Sequence, residues 1–252
     1  MNYKMIRYIL SVFLRAEAAL MLLPLLVCLI YGGESAVWFL ASIAIALAAS
    51  LLLRIKKPEN DIIFAKEGFV SVALGWLLLS IFGGVPFLIS GSIPNPIDCF
   101  FETASGFTTT GASILTDVEA LSKGMLFWRE FTHWIGGMGI LVFILMLTQL
   151  SEGRALYLMR AEVPGPSVGK LTPKSSYTSV ILYSIYTGMT LLEIVLLICG
   201  GMPVFDSVCY AFGSAGTGGF SVTNAGLAGY NNPYAEWVIG VSTVLFGVNF
   251  NL

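Results

Sequence analysis

FFETASGFTTTGAS, residues Phe100 to Ser113, runs from a short apolar helix candidate into three threonines and a glycine. Small, hydroxylated backbone of this kind is poorly suited to crossing lipid. Its N–H and C=O groups lack partners there unless the segment is buried in protein or lines water. A short helix leading into an extended filter is the usual way to place such backbone at membrane depth. A second copy follows as VCYAFGSAGTGGFS, Val208 to Ser221. With Thr110-Gly111 set on Thr217-Gly218, the copies also share Ala104 with Ala211 and Gly106 with Gly213. One copy alone reads as a tight loop between helices; two, each between apolar helices on the same side, read as re-entrant pore loops of an ion-conducting protein.

Composition places both loops in a membrane. Hydrophobic residues make up 56% of the 252 and charged residues 11%, against about 25% charged in a soluble domain. Several windows are long enough to span a bilayer, so the chain is read as an all-α polytopic membrane protein. No dense basic patch with interleaved aromatics marks a nucleic-acid footprint, so no nucleic-acid partner is expected. Cys28, Cys99, Cys199 and Cys209 are not at C-x-x-C spacing, which argues against a metal or redox pair. A bridge between Cys99 and Cys209 stays open, with buried small hydrophobes the better reading. The first apolar run carries no small-residue cleavage pattern and is read as a retained span.

In chain order, Met5 to Tyr31 and Ser35 to Leu53 form a two-helix hairpin, in which Arg15 can snorkel toward the head groups. Lys66 to Ser90 is the third helix and Met125 to Leu150 the fourth, with the first pore loop between them. Tyr177 to Ile198 is the fifth, and Glu236 to Leu252 begins a sixth after the second loop. The two units repeat the order helix, Gly-Gly-x-Pro, pore helix, Thr-Gly filter, and a helix opening near Trp134 or Trp237. The first has ten more residues between Pro86 and Thr110 than the second has between Pro203 and Thr217. The expected division is a hairpin over 1–57, a first repeat over 58–150, a connection over 151–176 and a second repeat over 177–252. Lys4 and Arg7, then Arg54, Lys56, Lys57 and Lys66, then Arg154, Arg160, Lys170 and Lys174 alternate with loops holding only Lys123. Positive charge concentrates on the cytoplasmic side, which puts the N-terminus and the 151–176 connection inside and both pore loops at the outer face.

A dehydrated cation needs oxygen ligands in place of water, and backbone carbonyls supply them. Gly111 can take positive φ without strain, with Thr108, Thr109 and Thr110 contributing carbonyls. In the second loop Gly218 is read as its counterpart, with Ala215, Gly216 and Thr217 lining the approach. The pore helices, about Pro96 to Phe107 and Phe205 to Gly213, aim C-terminal ends inward, each carrying roughly half a negative charge. Asp98 and Asp206 are read as their N-caps. Glu102, in the first pore helix, is an accessory candidate that anchors the filter from behind or adds negative potential, and Arg129 either pairs with it or snorkels.

Over nearly its whole length the chain resembles the Trk/Ktr/HKT potassium transporter superfamily, most closely its TrkH-type subunits. The residues that carry the likeness are FFETASGFTTTGAS at 100–113, HWIGGMGILVF at 133–143, RAEVPGPSVGKLTPK at 160–174 and GSAGTGGFS at 213–221. The resemblance implies a potassium-channel-like pore of helix–pore loop–helix repeats after the hairpin, in a potassium uptake subunit of a bacterial inner membrane. K+ is then the transported ion at Thr108, Thr109, Thr110, Gly111, Ala215, Gly216, Thr217 and Gly218, with no other cofactor. It further implies a homodimer and a cytoplasmic nucleotide-binding regulatory subunit of TrkA type. The family builds its pore from four repeats, and only two are present here, so the chain is expected to be an N-terminal-half fragment, or else a half-size subunit. A monomer with half a filter is expected not to conduct.

The competing classes are a sodium- or proton-coupled symporter, an intramembrane enzyme and a non-conducting scaffold. Against an enzyme, the sequence has no paired carboxylates with histidine, no Ser/His dyad and no H-E-x-x-H helix. His133 is expected to pack or to make an interfacial hydrogen bond. Gly136, Gly137 and Gly139 are expected to permit close helix approach. Glu17 and Glu193 lie mid-membrane, where a buried hydroxyl or arginine partner is expected.

Overall fold

Hydrophobic length sets the outer frame. In the computed structural model, which describes residues 2–33, 35–54, 65–139 and 175–248, four spans are long and apolar enough to cross a bilayer: Tyr3–Ile30, Ala36–Arg54, Lys66–Ile89 and Val180–Cys199. The first divides into α1 (Tyr3–Leu20) and α2 (Leu22–Ile30) at Met21. Pro24 withdraws the amide that would bond the Leu20 carbonyl and crowds that oxygen. Next come α3 (Ala36–Arg54), α4 (Ala65–Gly83) and the short α5 (Val85–Ile89). The first pore helix is α6 (Pro96–Phe107), followed by α7 (Lys123–Met138). The second unit repeats this with α8 (Ser175–Cys199), the pore helix α9 (Val204–Ala215), a 3-10 turn at Gly226–Tyr230, and α10 (Pro233–Phe246). The chain is thus a multi-pass, all-α membrane protein: a hairpin followed by two helix–pore loop–helix repeats.

Its sides are inverted relative to a soluble protein. Leu26, Leu40, Leu51, Leu77, Leu192 and Val195 point outward, while Ser42, Ser50, Ser71, Ser80 and Thr190 are buried between helices. With lipid as apolar as leucine, aliphatic side chains can face outward at no cost, and small hydroxylated residues let helices approach. Ser50 in α3 donates to the Ser11 carbonyl of α1 at 2.8 Å. Gly75 of α4 faces the Phe13 ring of α1. The hairpin therefore packs on the outer helix of the first repeat, and α2 packs on α7, where Cys28 Sγ lies against Gly124.

At the centre stands α7, packed against α2, α6 and α9. Trp128 is fully buried against Phe39 and Phe107, and its indole donates to the Gly83 carbonyl at 2.9 Å. Phe131, Trp134 and Phe212 continue the aromatic core toward α9. Gly139, at φ +77°, closes α7 after Met138. The fourth helix, expected to reach Leu150, ends earlier; residues 140–174, including the 160–174 motif, lie outside the described residues.

Several local readings change. Asn95 caps α6, its side chain accepting from the Ile97 amide, and Pro203 precedes α9 without a side-chain cap. Asp98 and Asp206 stand inside the first turns, where their charge still complements the helix dipole. Pro86 lies within α5 rather than before a pore helix, so the extra residues of the first unit are α5 and its linker. Trp134 sits near the end of α7 and Trp237 near the start of α10, so the tryptophans are not counterparts. All four cysteines are free, three of them buried and Cys199 exposed.

Candidate functional site: two pore loops

Both pore helices end in the same way. After Phe107, the Thr109 amide bonds the Gly106 carbonyl at 3.0 Å and the Thr110 amide bonds the Ser105 carbonyl at 2.9 Å. After Ala215, Thr217 bonds Ser214 at 2.9 Å and Gly218 bonds Gly213 at 3.0 Å. Each is a Schellman closure, in which the residue beyond the C-cap turns left-handed and the last helical carbonyls are satisfied. That residue is threonine both times: Thr109 at φ +54° and Thr217 at φ +53°. Two residues later a glycine is left-handed again, Gly111 at φ +74° and Gly219 at φ +88°.

These matches set the register of the repeat. Thr108, Thr109, Thr110 and Gly111 correspond to Gly216, Thr217, Gly218 and Gly219. The pairing of Thr110-Gly111 with Thr217-Gly218 is one residue out, and Gly219 joins the candidate positions. Ala215 is the last residue of α9, buried, with its carbonyl facing Gly137 of α7. Its counterpart Phe107 turns its carbonyl toward Gly136. Adjacent glycines on α7 thus receive the C-terminal ends of both pore helices, and a Cβ at either would collide with that backbone.

The loops meet. A Cβ added to Gly111 would strike the Gly218 carbonyl oxygen, and one added to Gly218 would strike the His133 imidazole. His133 is fully buried edge-on to Phe220, with centroids 4.1 Å apart. Among the described residues neither ring nitrogen has a hydrogen-bond partner within bonding geometry, and the imidazole serves as packing. Thr108 and Thr110 share a hydroxyl hydrogen bond of 2.8 Å on the exposed face of the first loop. A cavity of about 350 Å³ runs beside the second loop, bordered by Tyr210, Ser214, Thr217, Gly219 and Thr243.

Behind the loops lies a buried ionic cluster. Arg129 Nε donates to Glu102 Oε1 at 2.6 Å, and Nη1 donates to Glu130 Oε1 at 3.0 Å and to the Ser221 carbonyl at 3.0 Å. Its guanidinium also stacks 3.6 Å from the Phe220 ring centroid. Glu102 accepts from the Ser113 hydroxyl at 2.9 Å and the Ile114 amide at 2.9 Å. The expected Glu102–Arg129 pair is therefore present, and Glu102 anchors the first loop from behind. The Ser221 link has no composition signal and is missed by sequence reading. Outside the loops, Asn224 joins both connections: its side chain accepts from the Val118 amide and donates to Asp117, and its amide donates to Glu119. The two connections are thereby tied to each other.

Glu17 and Glu193 are buried as expected, but among the described residues none of their oxygens has the expected hydrogen-bond partner. Ser214 lies beside Glu193, yet its hydroxyl is donated to the Tyr210 carbonyl at 2.9 Å. No cluster of His, Cys, Asp and Glu suited to a metal ion occurs among the described residues.

Comparison with known proteins agrees with this architecture. A family model described as "TrkH: Cation transport protein" matches residues 35–252. The Trk system potassium uptake protein TrkH of Salmonella typhimurium is 34% identical over 256 residues, covering 100% of this chain and 53% of the relative. The Trk system potassium uptake protein TrkG of Escherichia coli is 32% identical over 238 residues, covering 92% and 48% respectively. The crystal structure of the potassium transporter TrkH from Vibrio parahaemolyticus superposes with a TM-score of 0.81 at 29% identity, over 99% of this chain and 51% of that one. The chain spans about half the length of the curated relatives it matches.

Proposed function

The chain belongs to the TrkH cation transport family, and from that premise we propose that it supplies two pore loops of a potassium uptake path across the bacterial cytoplasmic membrane. The observation that carries this reading is the matched pair of Schellman closures, each putting a left-handed threonine and then a left-handed glycine where the two loops touch. Such alternation turns successive carbonyls toward one side, where they replace the water of a dehydrated cation. The proposed ion-binding positions are Thr108, Thr109, Thr110 and Gly111 with Gly216, Thr217 and Gly218, and Ala215 closing the helix behind them; Gly219 is added from the register above. The ends of α6 and α9 add about half a negative charge each.

The alternating Lys and Arg pattern supports a cytoplasmic N-terminus and outward-facing loops. The packing of α1 on α4 and of α2 on α7 supports a hairpin that buttresses the first repeat; the proposed division is a hairpin over 1–57, a first repeat over 58–150, a connection over 151–176 and a second repeat over 177–252. The relatives are named as parts of a Trk system, and by likeness this chain works as a homodimer with a cytoplasmic nucleotide-binding regulatory subunit.

The test is growth of a potassium-uptake-deficient bacterium at limiting potassium, with rubidium influx measured on the same cells. The intact protein restores both. Gly111→Ala abolishes both while accumulating in the membrane, because the position needs positive φ and its new methyl would strike the Gly218 carbonyl. Undiminished growth with Gly111→Ala would refute the filter, and no influx from the intact protein would refute transport.

A further inference from the structure

Ser113 and Ser221 occupy the same place in the two repeats, each two residues beyond its left-handed glycine. Both are held by a single buried ion pair. Glu102 takes the Ser113 hydroxyl and the Ile114 amide of the first loop, at 2.9 Å each. Arg129, bonded to Glu102 at 2.6 Å, takes the Ser221 carbonyl of the second loop at 3.0 Å. The second repeat has no acid of its own at this place, since Tyr210 stands where the first has Glu102.

We propose that Arg129 is a positioning residue for ion selection by both loops, one guanidinium fixing the outgoing limb of the second directly and that of the first through Glu102. This rests on the two loops forming the ion path. The chemistry favours arginine at such a place. Its planar fork bonds carboxylate and carbonyl at once from a fixed geometry, whereas the lysine ammonium is a compact charge on a flexible stem. Phe220 beneath the guanidinium holds its plane. Burial of both side chains, 2% exposed for Arg129 and 0% for Glu102, keeps solvent from substituting for either contact. The brace also explains why the loops touch at Gly111 and Gly218 without a covalent tie.

Hydrogen–deuterium exchange on the purified intact protein tests the brace without reference to transport. Arg129→Lys is expected to speed amide exchange about tenfold in both 108–116 and 217–224, the effect of losing a hydrogen bond to a charged group. Ser113→Ala should speed it in 108–116 alone. Faster exchange in only one loop of Arg129→Lys overturns the proposal. Should that variant fail to accumulate, Phe220→Leu removes the ring beneath the guanidinium while leaving the Glu102 contacts to Ser113 and Ile114 in place. Faster exchange reaching 108–116 then supports the brace, and exchange confined to 217–224 overturns it. In cells, Arg129→Lys should cut the preference for potassium over sodium about tenfold while maximal influx falls less. An unchanged preference overturns the role in selection. Absence of influx from the unaltered protein is a failure of the transport reading instead, and leaves the exchange result to decide the brace.

Discussion

At Thr109 and Thr217 a β-branched side chain occupies a backbone region that costs an L-residue about 1–2 kcal/mol. Glycine would adopt it freely but loses about 0.5–1 kcal/mol to the greater freedom of its unfolded chain. Thr109→Gly and Thr217→Gly should therefore each gain at most about 1.5 kcal/mol in denaturation of the detergent-solubilised protein. They should also weaken ion discrimination, since the threonines fix the carbonyl direction. Marked destabilisation by either change would show that the left-handed turn is not strained. Gly218 gives a second case: Gly218→Ala drives a methyl into the His133 ring, an overpacking worth about 1–3 kcal/mol. Combining it with His133→Ala should restore much of the loss, and strict additivity of the two changes would contradict that contact. At this scale the sequence was legible in kind but not in register. Asp98 with Asp206, Ser113 with Ser221 and Thr109 with Thr217 share one spacing, whereas Thr110 with Thr217 is one residue shorter. The repeated Thr-Gly pair matches in letters one residue away from where the hydrogen bonds of the two loops match.

Among the elements, α7 bears the most constraint because it threads between the two pore helices. Gly136→Ala would press on the Phe107 carbonyl, and Gly137→Ala on the Tyr186 hydroxyl and on the backbone of Ala215 and Gly216, which cannot rotate aside. Each should cost about 1–3 kcal/mol and disturb its own pore helix. Gly188 in α8 has open space around it, so Gly188→Ala should be neutral or slightly stabilising and serves as the control. Equal effects at all three positions in a denaturation series would mean that close approach does not explain α7. The bounds of α6 are readable from sequence because Asn95-Pro96 opens it and the Thr run closes it. Those of α9 are less so, for Ala215 continues the helix with nothing in its composition to mark the end. Hydropathy reports the length of a span, but the breaks at Met21 and after Gly83 depend on which backbone amide is lost and on what packs there. The end of α7 is likewise set by the conformation of Gly139, inside a run that is apolar throughout.

Across the whole molecule, the described interior holds five buried glutamates, Glu17, Glu67, Glu102, Glu130 and Glu193, against one buried arginine, Arg129. They sort by what each is bonded to. Glu102 and Glu130 share Arg129, Glu67 accepts from the Asn2 amide at 3.2 Å, and Glu17 and Glu193 have no partner for either oxygen. Losing a buried hydrogen bond to a charged group costs about 1.5–3 kcal/mol. Replacing an unpartnered carboxyl by its amide removes a group that is hard to bury charged and leaves no orphaned partner. Glu102→Gln should destabilise the protein and lower cation influx together, since the first loop loses its charged anchor and Arg129 is left with Glu130 alone. Glu17→Gln and Glu193→Gln should hold or raise stability. If either also abolishes influx while stability holds, that carboxyl works in the transport cycle rather than in the packing. Destabilisation by Glu17→Gln or Glu193→Gln as large as that of Glu102→Gln would defeat the sorting, because it would require those carboxylates to have partners of their own.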